Sequence, residues 1–223
     1  MRNSARATVA IKEELPPTEV VMHFIPTELK GAYLIDLQPK EDTRGFFART
    51  WCEQQAVRFG LEPHMVQANV SFNKKKGTLR GMHYQIPPSK EAKLVRCTCG
   101  AIYDVIIDLR PKSASFLQHF GTILNADNHH ALYIPAGFAH GFQTLEDKTE
   151  VFYLMSDYHA PQLARGVRWD DPAFAIRWPE EVRVIHERDA TYPDFNSQVI
   201  IEMNSYKRIP AGDENLSSRV ARS

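Results

Sequence analysis

The feature that most constrains this chain is a series of short apolar runs, each four to eight residues long, returning about every ten residues. Val20 to Phe24, Ala32 to Leu37, Val66 to Phe72, Lys93 to Cys99, Ala101 to Asp108, Leu117 to Leu124, Ala131 to Ile134, His140 to Leu145 and Thr149 to Met155 all fit it. Each is bounded by Gly, Pro, Asn or Asp, the residues that turn a chain. In Ala101 to Asp108, Ile102, Asp104, Ile106 and Asp108 share one face, while Tyr103, Val105 and Ile107 share the other. Only Cys52 to Phe59, stopped by Gly60, has helical composition. The pattern predicts an all-β sandwich or barrel with short helices.

One domain over residues 21–200 is expected, with a loose extension over 1–20 and a flexible tail over 201–223. Lysine plus arginine (27) balances aspartate plus glutamate (27), so bulk charge gives no reason to expect nucleic acid. No apolar run approaches the ~18 residues of a membrane span, so no membrane partner is expected. The cysteines, Cys52, Cys97 and Cys99, are odd in number and suit a reducing cytoplasm. Alternation puts Cys97 and Cys99 on one strand face, as small apolar fillers. Lys74-Lys75-Lys76-Gly77 reads as an exposed turn.

Chemistry concentrates in Thr78-Leu79-Arg80-Gly81-Met82-His83-Tyr84-Gln85. Extended, it puts His83 and Gln85 on one face and Met82 and Tyr84 on the other. An imidazole near Lys93 and Arg80 is a kit for making and holding an anion. Each candidate also has an ordinary reading. His83 and His140 could be hydrogen-bonded core histidines, Tyr153 a core aromatic, and Arg44 and Arg49 surface charges beside a turn. Asp104, among isoleucines, needs a partner such as Lys93 or Arg80. His83 and His140 lack a third ligand, so no metal is expected.

The sequence resembles the dTDP-4-dehydrorhamnose 3,5-epimerase family over roughly residues 22–196. The motifs are Arg44-Gly45-Phe46-Phe47, Gln67-Ala68-Asn69, Leu79 to Gln85, Lys93-Leu94-Val95, Tyr103-Asp104-Val105, Ile134 to Phe142, Trp169-Asp170-Asp171-Pro172 and Arg188-Asp189. The resemblance implies a cupin-type jelly roll, a homodimer, and epimerisation of a nucleotide-activated 4-keto-6-deoxyhexose without metal or cofactor. It implies His83 as base with Asp189 as its partner, Lys93 and Arg80 at the enolate oxygen, and Tyr153 as the opposed acid. His140 and Asp104 would line the pocket, joined by Arg188. Arg44, Gln67 and Asn69 would grip the nucleotide, Arg44 and Arg49 reaching it from the other subunit.

The departures lie in ligand recognition. Arg49 and Ala164 stand where the family commonly has Glu, Leu154 and Arg188 where it has Lys, and Glu91-Ala92 precede Lys93 where the family often has a Gln two before the lysine. An arginine only donates hydrogen bonds, which suits the acceptors of cytosine or guanine better than the N3–H of thymine. A single-position epimerase or ketoisomerase on a CDP- or GDP-sugar is therefore an alternative. A non-catalytic sugar-nucleotide-binding cupin is another, although a mere binder needs no opposed acid and base.

Overall fold

The apolar runs become strands of two facing sheets, shown by a computed structural model that describes residues 22–196. The extension expected over 1–20 and the tail expected over 201–223 lie outside the described residues. The first sheet orders β1 (Met22–Pro26), β2 (Tyr33–Leu37), β10 (Ala131–Ile134), β7 (Lys93–Cys99), β12 (Thr149–Met155) and β5 (Gln67–Asn73). The second orders β13 (Ala164–Gly166), β6 (Thr78–Gln85), β11 (Phe138–Thr144), β8 (Ala101–Asp108) and β9 (His119–Asn125). A short β14 (Val184–Ile185) runs parallel beside β6. β3 (Lys40–Asp42) and β4 (Gly45–Phe47) form a separate hairpin. From β5 to β8, and again from β9 to β12, successive strands alternate between the sheets, as in a jelly roll. The sheets curve, and no ring of hydrogen-bonded strands closes among the described residues.

The alternation read from sequence explains the layers. Val95, Cys97, Leu132, Ile134 and Val151 of the first sheet meet Ile102, Ile106, Leu124, Phe138 and Phe142 of the second. Fully buried Ile, Leu and Phe side chains contribute roughly 1.5–3 kcal/mol each, so this contact dominates the stability. The opposite parity of β8, Val105 and Ile107, packs under Phe174, Trp178 and Phe195. This second cover is why β8 is apolar on both faces. The helix α1 (Glu53–Arg58) buries Ala56 against the outside of the first sheet with Ile35, Leu94 and Tyr133. It ends before Gly60, at φ +68°. Among the described residues no helix is long and apolar enough to cross a membrane.

One expectation is corrected. Cys97 is buried and its thiol donates to the Cys99 carbonyl, but Cys99 is exposed. The β7–β12 register slips here, since Glu150 pairs with Cys99 and Val151 with Cys97. Two steps on β7 match one on β12, and this bulge turns Cys99 off the core face. Lys74 and Lys75 are exposed as expected, and Lys75 and Lys76 pair with Asp147 and Glu180.

Candidate active site

A cavity of about 580 Å³ opens between the sheets. From the second sheet come Leu79, Arg80, His83, His140, Gly141 and Phe142; from the first, Asn69, Lys93, Tyr153 and Met155. Strict alternation would send Arg80 and His83 to opposite faces, yet both line the cavity. The β6–β11 register explains it: His140 pairs with His83 and Phe142 with Arg80, three steps against two. The extra residue bulges at Gly81, whose φ of +126° is open to glycine. A Cβ there would lie 2.5 Å from the Gly141 Cα, and one on Gly141 would lie 2.7 Å from the Arg80 carbonyl. The glycine pair is what lets the bulge form.

His83 is anchored by a carboxylate from the far end of the domain. β14 leads into the short helix α2 (Glu187–Ala190), which carries Asp189 to His83. His83 Nε2 lies 2.8 Å from Asp189 Oδ1, and Asp189 Oδ2 accepts from the Gly81 amide at 3.2 Å. Arg188 Nε also donates to Asp189, at 3.2 Å. Burial alone would raise the Asp189 pKa. The donors from His83, Gly81 and Arg188 outweigh it and hold the carboxyl below its ordinary range. Arg188 Nη2 also lies 3.2 Å from Nε2, but the shorter contact is to an ionised carboxylate, which only accepts, so Nε2 carries the proton and the guanidinium does not donate to it. Nδ1 keeps a lone pair, and no hydrogen bond among the described residues engages it. The imidazole is partly exposed, its side chain at 37%. This is a base with an open front and an anchored back.

A second histidine–aspartate pair lies deeper. His140 Nε2 is 2.7 Å from Asp104 Oδ1, with both side chains buried. Asp104 was expected to pair with Lys93 or Arg80; its partner is His140. The register decides this: His140 pairs with Ile106 across β8 and β11, making Asp104 its diagonal neighbour on one face. Burial raises the Asp104 pKa beyond what His140 offsets, and its Oδ2 has no hydrogen-bond partner. His140 meets the cavity, with Asp104 behind it. Its ring stands edge-on to Tyr153, centroids 6.2 Å apart. Burial first, and then the Asp104 charge, push the Tyr153 hydroxyl pKa up, so it keeps its proton at neutral pH. Tyr153 is thus available as a donor.

Lys93 faces the cavity and is ion-paired with Glu91. Arg80 Nε donates to Asn73 Oδ1 at 2.7 Å. Of the predicted residues, His83, Tyr153, Asp189, Lys93, Arg80, His140, Arg188 and Asn69 converge here. Arg44, Arg49, Gln67 and Asp104 do not line this cavity. Arg44 lies on the β3–β4 hairpin, 87% exposed and paired with Asp42. Arg49 lies between β4 and α1, partly exposed, and Gln67 accepts from the His159 amide at 2.9 Å. His186 was missed in the sequence. It lines the cavity and caps α2 by accepting from the Arg188 amide at 3.1 Å. Its position just before Glu187-Arg188-Asp189 was the available signal.

The model of the dTDP-4-dehydrorhamnose 3,5-epimerase family matches residues 26–197. The chain belongs to this family. It is 40% identical over 161 residues to the dTDP-4-dehydrorhamnose 3,5-epimerase of Escherichia coli K12, covering 71% of this chain and 86% of that one. The Bacillus anthracis dTDP-4-dehydrorhamnose 3,5-epimerase, solved with TDP and PPi bound, superposes with a TM-score of 0.75. It shares 40% identity, over 78% of this chain and all (100%) of that one. ChmJ, a 3'-monoepimerase from Streptomyces bikiniensis solved with dTDP-quinovose, matches at TM-score 0.73 and 28% identity. That match covers 80% of this chain and 90% of ChmJ. The solved structures this chain resembles thus include enzymes named for two positions and for one.

Proposed function

We propose that this protein is an isomerase that epimerises a nucleotide-activated 4-keto-6-deoxyhexose at C3, C5 or both, in deoxysugar biosynthesis. The observation that carries this reading is the opposition of His83 and Tyr153. The base, held by Asp189, comes from β6 in one sheet; the protonated phenol comes from β12 in the other. The C4 ketone acidifies its neighbouring C–H bonds, and His83 Nδ1 takes a proton to give an enolate. Lys93 and Arg80 stabilise the oxygen as charge develops, an effect that is large in a secluded cavity. Tyr153 returns a proton from the opposite face, inverting the carbon; the His83 imidazolium then releases its proton to solvent and the phenolate regains one from it. Arg188, His140 and Asn69 hold the substrate.

Arg44, Arg49 and Gln67 belong in this reading to nucleotide binding, completed by a homodimer. Supporting that assembly are Phe46 and Phe47 on the hairpin, 53% and 64% exposed, and Val70 and Phe72 on edge strand β5, 59% and 52% exposed. The three unbridged cysteines support a cytoplasmic location. The family match over residues 26–197 supports one catalytic domain over 21–200.

Similarity to a 3'-monoepimerase favours a second reading, in which one carbon is inverted. Proton NMR of the product from dTDP-4-keto-6-deoxyglucose separates them through the couplings at C3 and C5. Inversion at both supports the 3,5-epimerase, and inversion at C3 alone the single-position enzyme. Turnover only with the CDP- or GDP-linked ketosugar would move the nucleotide in the direction suggested by Arg49. Binding without turnover of all three would overturn catalysis.

A further inference from the structure

The bulge at Gly81 turns Arg80 toward the cavity, but it does not decide which edge of the guanidinium arrives there. Arg80 is exposed, and an unanchored arginine samples many rotamers, so a fixed edge needs a fixed partner. That partner is Asn73, the last residue of β5 in the opposite sheet and only 2% exposed. Its Oδ1 accepts from Arg80 Nε at 2.7 Å. The amide cannot turn over, because Nδ2 already donates at 3.3 Å to two backbone carbonyls, those of Ser71 on its own strand and Thr149 on β12. Thr149 is the residue paired with Asn73 across the β5–β12 ladder, so the backbone itself sets the direction of the amide.

The effect on Arg80 follows from its donor geometry. Nε is taken by Asn73, which leaves both Nη groups without a protein partner among the described residues. A planar fork tied at its inner edge presents its outer edge in one orientation, here on a wall shared with His83, Lys93 and Tyr153. Burial raises the Tyr153 hydroxyl pKa, and the Arg80 charge is among the groups that oppose it, which puts the guanidinium close to the phenol. We propose that Asn73 is a positioning residue, a buried acceptor that ties Arg80 by Nε and so sets its Nη edge at the oxygen where the enolate charge develops. A donor already oriented needs no reorganisation as that charge appears, so the tether acts on the chemical step. Any acceptor of suitable reach serves at position 73; an apolar side chain does not. The inference rests on the epimerase reading and deepens it.

Two substitutions test it: Asn73→Leu removes the acceptor, and Asn73→Ser keeps one. Each is measured for kcat and KM, alone and in an Arg80→Met background. Asn73→Leu is expected to lower kcat on the order of tenfold with KM nearly unchanged, and Asn73→Ser to recover most of that loss. In the Arg80→Met background neither change has a further effect on kcat. An equal loss in both backgrounds, a serine variant as impaired as the leucine one, or a rise in KM at constant kcat overturns the proposal. Arg80→Lys leaves the buried amide in place and keeps the charge without the fork, so it tests the orientation even where Asn73→Leu does not fold. It is expected to lose kcat to a similar degree, and an unchanged kcat overturns the proposal. A readout independent of turnover is the ¹⁵N–¹H signal of Arg80 Nε, slow to exchange with water in the wild type and Asn73→Ser and fast in Asn73→Leu. Equal exchange in the wild type and Asn73→Leu overturns the tether itself. Signals that behave as expected in a protein with no turnover would instead place the failure in the epimerase reading.

Discussion

Two histidine–aspartate pairs, built on cross-strand neighbours, differ in what surrounds them. His83 and His140 face each other in register on β6 and β11, and each places Nε2 within 2.8 Å of a carboxylate. Asp189 receives three donors and stays readily ionised, while its histidine is partly open to the cavity. Asp104 receives one donor, keeps an unpartnered oxygen, and is pushed toward its protonated form by complete burial. The same two side chains thus make a reactive centre in one place and a buried support for a cavity-wall histidine in the other. Donor count and solvent access decide which.

The comparison breaks if the two carboxylates respond alike to loss of charge. Asp189→Asn has the larger expected effect. An amide can offer its NH₂ to Nε2 and move the ring proton to Nδ1, removing the base. Turnover then falls on the order of 10³-fold with KM nearly unchanged, read from steady-state kinetics. The depressed pKa of Asp189 contributes stability that is present above the ordinary value of 3.8 and lost as pH falls through the lower folded value. The wild type therefore loses stability relative to Asp189→Asn at the acid end of a melting series.

Asp104→Asn should do little to turnover, within about tenfold, and its pH trend runs the other way. The folded pKa of Asp104 is raised, so its contribution is present below 3.8 and lost as pH rises through the raised value. Asparagine resembles the protonated form. Thermal melting of Asp104→Asn against wild type should show a difference moving in favour of the variant from pH 4 to pH 7. A difference that stays flat, or moves against the variant, would undo the contrast.

Much of this was legible in the sequence because alternation reports which face a residue takes. The β8 pattern separated Ile102 and Ile106 from Val105 and Ile107, and two cores now use them. The motifs identified His83, Lys93, Tyr153 and Asp189, whose side chains meet in one cavity. What the sequence hid was register. Asp104 finds His140 because two strands pair at a particular offset, and Arg80 enters the cavity through a one-residue bulge at Gly81. Neither offset leaves a mark on local periodicity. Residues 184–190 show no period, since β14 and α2 are too short for one. Glu91 was noted as a departure, but its pairing with Lys93 needed coordinates.

The most direct test of the account is solvent deuterium exchange at C3 and C5 of dTDP-4-keto-6-deoxyglucose, followed by proton NMR in deuterium oxide with wild type and His83→Asn. With His83 as the base, the wild type exchanges at C3, C5 or both, and the variant slows exchange by roughly 10³-fold or more. Exchange that persists in His83→Asn near the wild-type rate would contradict the account and assign proton removal to another residue of the cavity.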